Sequence, residues 1–306
     1  MRGLARYPLS FALCCAAALA QEGAVGGPSL GLLYDPAART LHSVNGVAAA
    51  ALLSERLSTA DGLAWLEAAP GGALALGLTQ DTGQLEMLTA SGRRTLDSFP
   101  AGARGARFSP AGKAALVLFE GRALVLTSLL DSPSVAWEFV APSEASLAIS
   151  DDGSRALSLA EGRVVQYNAD GSLAELLATG ARSAVFVEGS HDSVILTTEA
   201  GSLLLNHNGE LSRLALPESL ATPIAAAGTQ DHILLASEDG AVTKLARDGS
   251  TVDTVACGCK PTTLTRIGRS LLYRLNDPGD GPVWLLDVAE GQPRILFIPP
   301  TVKEAE

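Results

Sequence analysis

A turn glycine that returns about every forty residues constrains this chain more than any other feature. It stands at Gly46, Gly83, Gly121, Gly162, Gly201, Gly240 and Gly281, at successive spacings of 37, 38, 41, 39, 39 and 41. A second series, Gly92, Gly171, Gly209, Gly249 and Gly291, keeps step with it, and Asp131-Ser132-Pro133 stands where the third unit's glycine would be. Two series in phase define seven units. Each is too small to bury an apolar face alone, so the units must pack against one another.

Residues 148–176 show what one unit contains. Short apolar runs alternate with the turns Ser150-Asp151-Asp152-Gly153, Glu161-Gly162 and Asp170-Gly171, a spacing that predicts a four-stranded meander. Glycine suits such turns because it reaches positive φ without a Cβ clash. With the strands named A to D, the first glycine series lies between B and C and the second between C and D. The A–B turns read Asp35-Pro36-Ala37, Ala69-Pro70-Gly71-Gly72, Ser109-Pro110-Ala111-Gly112 and Ser150-Asp151-Asp152-Gly153, then drift in the later units. The B strands are expected at 40–44, 74–78, 114–119, 155–159, 194–198, 233–236 and 270–275. They are short and apolar, as strands covered on both faces should be.

Seven four-stranded antiparallel sheets with no long amphipathic helix predict an all-β fold, a seven-bladed β-propeller. Residues 51–60 are expected to form the fourth strand and exit loop of blade 1. Residues 21–28 are too glycine-rich to lend a strand to blade 7, which should complete itself with 294–298, so the ring is expected to close by side-chain packing. The domain boundaries follow: a leader at 1–20, a linker at 21–29, one propeller domain at 30–298 and a tail at 299–306.

Phe108-Ser109-Pro110-Ala111-Gly112-Lys113 and Ile149-Ser150-Asp151-Asp152-Gly153-Ser154 give the chain a resemblance to bacterial seven-bladed propellers with YVTN-type repeats, over 30–298. WD-type repeats are a poorer match, since no unit carries a Gly-His or a Trp-Asp step. The resemblance rests on turn chemistry, so it implies a fold and not an activity.

Arg2 and Arg6, the apolar run 9–19 and Ala18-Leu19-Ala20 ahead of Gln21 read as a secretory signal, so the mature chain is expected outside the cytoplasm, periplasmic or secreted, without membrane insertion. Two of the four cysteines leave with that leader. Cys257 and Cys259 remain and are expected to pair as a local disulfide in an oxidising compartment. A net charge of -11 argues against nucleic acid, which requires a basic surface.

Letter motifs for chemistry fail on context. Gly27-Pro28-Ser29-Leu30-Gly31 spells a nucleophile elbow but lacks the strand-to-helix turn that exposes the serine. His42, His191, His207 and His232 fall in different blades and depths, which suits packing or surface roles. The B–C turns carry acid in six blades, at Asp81, Glu120, Glu161, Glu199, Glu238, Asp239, Asp277 and Asp280, and the D–A connections on the same edge add Asp61, Glu144, Arg104, Arg182 and Lys260. The ligand-binding set expected there is Glu120, Glu161, Glu199, Glu238, Arg104, Arg182 and Lys260. Acids before glycine are also what a solvated turn selects.

These features point to a monomeric, exported binding scaffold without a metal or cofactor, presenting one face of the disc to a protein, an envelope polymer or a small ligand. Two other readings stay open. One is a lactonase-like hydrolase using Glu161 or Glu199 with Arg182, and the other a redox-sensitive clip at Cys257 and Cys259.

Overall fold

A computed structural model of the chain describes residues 29–299, except 36–38, 47–49, 55–59, 90–91, 200–202, 208–209, 215, 217–219, 269–270, 278–280 and 290–291. The leader at 1–20, the linker before Ser29 and the tail beyond 299 lie outside the described residues. No helix among the described residues is long and apolar enough to cross a membrane.

Seven antiparallel sheets are arranged about one axis as a β-propeller. The A strands, Ser29–Asp35, Leu63–Ala68, Gly105–Phe108, Ser146–Ile149, Ala181–Phe186, Pro223–Gly228 and Thr265–Ile267, are innermost, and neighbouring A strands approach one another around the ring. The B strands lie at Thr40–Asn45, Leu74–Thr79, Ala115–Phe119, Arg155–Ala160, Val194–Thr198, His232–Ser237 and Leu272–Arg274, within a few residues of the expected positions.

Six blades show four strands in the order A-B-C-D, while blade 1 shows three among the described residues. Here the expectation for residues 51–60 is corrected. Leu52–Leu53 ladders onto strand B, with Leu53 opposite Val44 and Leu52 opposite Asn45, and is therefore the third strand of blade 1 rather than its fourth. The cause is a longer B–C connection, since strand B ends at Asn45 and the next strand begins only at Leu52.

The core is a ring of apolar seams rather than one centre. Leu157 and Val164 of blade 4 pack on Phe186, Val194 and Leu196 of blade 5, and similar seams join the other neighbours. Alternate residues of a strand point to opposite faces, so strands covered on both sides become continuous apolar runs. Val194–Thr198 is buried at all five positions.

The ring closes through such a seam. Leu33, Val44 and Ala51 of blade 1 pack on Ile267, Leu272, Leu285 and Ile298 of blade 7, which supplies its own outer strand, Arg294–Ile298. Glycine is required at this joint. Gly268 has φ 65°, and a Cβ there would stand 1.4 Å from the Leu30 carbonyl oxygen.

Candidate functional site on the two faces of the disc

Backbone hydrogen bonds join the B–C turns to the D–A connections and put them on one face. The Ala181 amide donates to the Gly162 carbonyl at 2.9 Å, and the Glu199 amide to the Gly180 carbonyl at 2.8 Å. Six of the seven residues of the expected binding set lie on these segments, and Arg182 stands just inside strand A of blade 5. The structure brings four of them together as two separate pairs: Arg104 with Glu120 at 2.9 Å, and Arg182 with Glu238 at 2.5 Å. Glu161, Glu199 and Lys260 are exposed and make no ion pair among the described residues.

Several acids on this face serve their own turns. Glu161 at φ 49° and Gly162 at φ 72° form the two-residue link between strands B and C of blade 4. The Asp239 carboxylate accepts from the Ala241 amide at 3.1 Å, and Asp277 pairs with Arg274 at 3.1 Å. Asp280 lies outside the described residues. No group of three or more His, Cys, Asp or Glu side chains among the described residues is placed to hold a metal ion. Cys257 is bonded to Cys259 in the connection entering blade 7, where the Cys257 amide donates to the Gly240 carbonyl at 2.7 Å.

The histidines are dispersed. His42 is buried, with Nδ1 2.8 Å from the Ser54 carbonyl oxygen and Nε2 2.9 Å from the Thr40 hydroxyl, which accounts for both ring nitrogens. His191 is exposed beside Asp192. Burial, with Lys244 nearby, holds His232 below the usual imidazole range against the pull of Asp231. The His207 side chain lies outside the described set, and Ser29 opens a strand rather than an elbow.

The opposite face carries the A–B turns, and its organising group is one the sequence did not single out. Asp151 is only 6% exposed, and its carboxylate accepts from the Ala111 amide of blade 3 and the Gly189 amide of blade 5, both at 2.7 Å. One side chain thus ties three consecutive A–B turns. A buried carboxylate is tolerated there because charge-assisted backbone bonds replace its water. The sequence held a signal: Asp151 stands where blades 2 and 3 carry Pro70 and Pro110.

Next to Gly189, the Glu188 carboxylate pairs with the Arg266 guanidinium, which reaches it from strand A of blade 7, beyond blade 6. Both side chains are largely shielded. Tyr273 belongs to the same environment, and burial pushes its hydroxyl up to about 12, with Arg266 lowering it and Glu188 raising it. This ion pair borders a cavity of about 440 Å³ at the channel mouth. The other walls are the small residues of the A–B turns of blades 2 and 3, Lys113, and the C–D loop of blade 3. In that loop Ser128 takes φ 56°, Leu129 is buried, and Leu130 is left 64% exposed at the rim.

The cavity therefore offers an apolar rim, a small-residue wall with accessible backbone, and a cation and anion already neutralising each other. Such a surface can seat a protruding side chain or short segment.

The sequence matches no protein family model and no curated protein. Among solved structures, a functionally unknown protein from Desulfotomaculum acetoxidans DSM 771 is similar at a TM-score of 0.59 and 11% identity, over 89% of this chain and 100% of the other. Hydrazine synthase from Kuenenia stuttgartiensis aligns at a TM-score of 0.49 and 14% identity, over 92% and 99% of the two chains. The β-propeller domain of Cps50 (Swd1) from Myceliophteria thermophila aligns at 0.48 and 18%, over 65% and 72%. At 11% identity the first of these is a likeness of fold alone, and the seven sheets make the chain a seven-bladed β-propeller.

Proposed function

We propose that this chain is an exported, non-enzymatic propeller that binds a partner protein at the channel mouth on the face of the A–B turns. The observation that carries the reading is the position of Leu130, a large apolar side chain held in water at the rim of a concave site whose own charges, Glu188 and Arg266, are already paired. An exposed apolar group beside a preformed hollow is the usual chemistry of an anchor contact, where a buried apolar centre contributes most of the affinity. Export is inferred from the leader-like residues 1–20, and an oxidising compartment fits the Cys257–Cys259 bridge.

The test places a photo-crosslinking residue at position 130 in one variant and at position 161, on the opposite face, in another, each in the native host. Adducts from position 130 alone support the reading. Adducts from position 161 alone move the partner to the carboxylate-bearing face, and adducts from neither overturn the scaffold reading. Ester, lactone or glycoside hydrolysis that disappears in Glu161→Gln would replace it with the hydrolase alternative.

A further inference from the structure

Between blades 4 and 5 the apolar seam gives way to a polar cleft of about 510 Å³. Two amides lie within it. Gln166, on strand C of blade 4 (Arg163–Asn168), is 6% exposed, and Asn206, on strand C of blade 5 (Leu203–His207), is 2% exposed. The Oε1 of Gln166 and the Oδ1 of Asn206 are both buried with no hydrogen-bond partner in the protein. Buried polar atoms are nearly always satisfied, so two orphans in one cleft mark a place where something else completes the bonding.

The repeat sharpens the point. Gln166 pairs with Leu157 in a row that faces the next blade, and the corresponding residues of blades 2, 3 and 5 are Met87, Val125 and Leu205. Asn206 pairs with Val194 in a row that faces the preceding blade, where blades 2, 3 and 6 carry Leu88, Leu126 and Leu245. At both positions most other blades carry an apolar side chain, the exceptions being Lys244 of blade 6 in the first row and Tyr167 of blade 4 in the second. Among the described residues this is the one seam with an amide on each side, and the apolar residues of most other blades show that the fold does not need the pair.

We infer that this cleft is a binding site for a neutral saccharide or comparable polyol. Both orphan oxygens are closed to solvent as they stand, so the ligand must donate hydrogen bonds to them as the amide ends rotate into the cleft. It must also accept, because Arg155 and the two amide residues, all of which carry N–H donors, line the same space. A hydroxyl does both, and an amide side chain presents a donor and an acceptor side by side, matching two neighbouring hydroxyls. The remaining charges narrow the class further. Glu175, opposite Gln166 in the C–D ladder, and Asp192 would repel a phosphate or sulfate, while Arg155 would oppose a simple ammonium ion. The site is separate from the channel-mouth cavity, with which it shares no lining residue.

The test titrates the full chain with glucose, galactose, mannose, N-acetylglucosamine and their disaccharides at millimolar concentrations, read by saturation-transfer NMR and calorimetry. Glycine, lysine and inorganic phosphate are run in parallel. Gln166→Met and Asn206→Leu place at each site a residue that other blades carry there, and each should remain folded, with Tm at or above that of the parent. Each should weaken saccharide binding about tenfold or more through a lost buried hydrogen bond. Arg155→Ala provides a further variant that leaves both amides in place, and it too should weaken binding. Absence of any saccharide signal, unchanged affinity in both amide variants, or binding of glycine, lysine or phosphate alone would each overturn the assignment, the cleft then holding only water in the saccharide's place.

Discussion

The carboxylate of Asp151 receives the backbone N–H of Gly189, from the next blade, at 2.7 Å, and its second oxygen receives Ala111 of the preceding blade at the same distance. Gly189 adjoins Glu188, so the bond also fixes the residue that meets Arg266 at the channel mouth. Asp151→Ala removes both bonds and leaves two N–H groups without a partner. The expected loss is about 3–6 kcal/mol, since hydrogen bonds to charged groups are each worth about 1.5–3 kcal/mol. Urea denaturation reads the loss, and faster hydrogen exchange at Ala111 and Gly189 localises it. An unchanged midpoint would show that the three turns hold their positions unaided.

Ring closure predicts a sharp contrast between two glycines. Gly268 has φ 65° and the Leu30 carbonyl where a Cβ would go, whereas Gly71 has nothing within 4 Å and no left-handed φ. Gly268→Ala should cost on the order of 3 kcal/mol through strain and separation of blades 1 and 7. Gly71→Ala should be neutral or slightly stabilising, because alanine restricts the unfolded chain. Thermal melts compare the two, and equal Tm values would refute the tight joint.

Three Asp-Gly-Ser turns set an acid limit. In Asp152-Gly153-Ser154, Asp170-Gly171-Ser172 and Asp248-Gly249-Ser250 the serine amide donates to the aspartate at 3.0, 2.9 and 2.9 Å, and the serine hydroxyl donates as well. Burial alone would raise Asp152, but hydrogen bonds from Ser154 and Ser150 outweigh it, and Asp170 and Asp248 are lowered chiefly by their serine hydroxyls. A folded pKa below the unfolded one contributes stability that is fully present above about pH 4 and is lost as pH falls through the folded value. Replacing Ser154, Ser172 and Ser250 together by alanine should reduce the difference in stability between pH 7 and pH 3. Parallel pH curves for parent and triple variant would exclude the turns as its source.

Much of the fold was legible because it is local. Glycine turns and apolar runs recur with a fixed step, and the B strands fall where the turns bracket them. Blade 1 was misread because Leu52–Leu53 is placed by a ladder to Val44 and Asn45, and turn chemistry alone does not report the length of the loop between them. The site was less legible for a related reason. Acids in the B–C turns are conspicuous in sequence, yet Glu120 and Glu238 meet arginines from other segments while Glu161 and Glu199 stand apart. Asp151, Glu188 and Arg266 converge only when blades 4, 5 and 7 share an axis, a relation spread over more than a hundred residues of chain. The Gln166 and Asn206 pair becomes visible only once register aligns them with Met87 and Leu88.

The Cys257–Cys259 bridge spans a single residue, and the Gly240 turn leans on it, so that a Cβ at Gly240 would meet the Cys259 carbonyl at 2.8 Å. So small a ring restricts the unfolded chain only slightly. Cys257→Ser with Cys259→Ser should therefore cost about 1–2 kcal/mol by chain entropy. Denaturant midpoints with and without reductant measure it, and a cost beyond about 4 kcal/mol would give the clip a larger structural role.

Glu67 supplies a pH dependence of opposite sign. It lies on strand A of blade 2, and burial pushes its carboxyl up, while Arg107, 3.6 Å away, and Arg274 lower it and Asp277 raises it further. Because the folded pKa exceeds the unfolded one, this contribution is complete at low pH and fades as pH rises through the folded value. Glu67→Gln removes the titration without stranding its partner, since Arg107 is 53% exposed and keeps its water. The variant should match the parent near pH 4 and exceed it in Tm at pH 8, where the parent holds a desolvated carboxylate. A Tm at pH 8 below that of the parent would mean that attraction to Arg107 and Arg274 outweighs burial at this position.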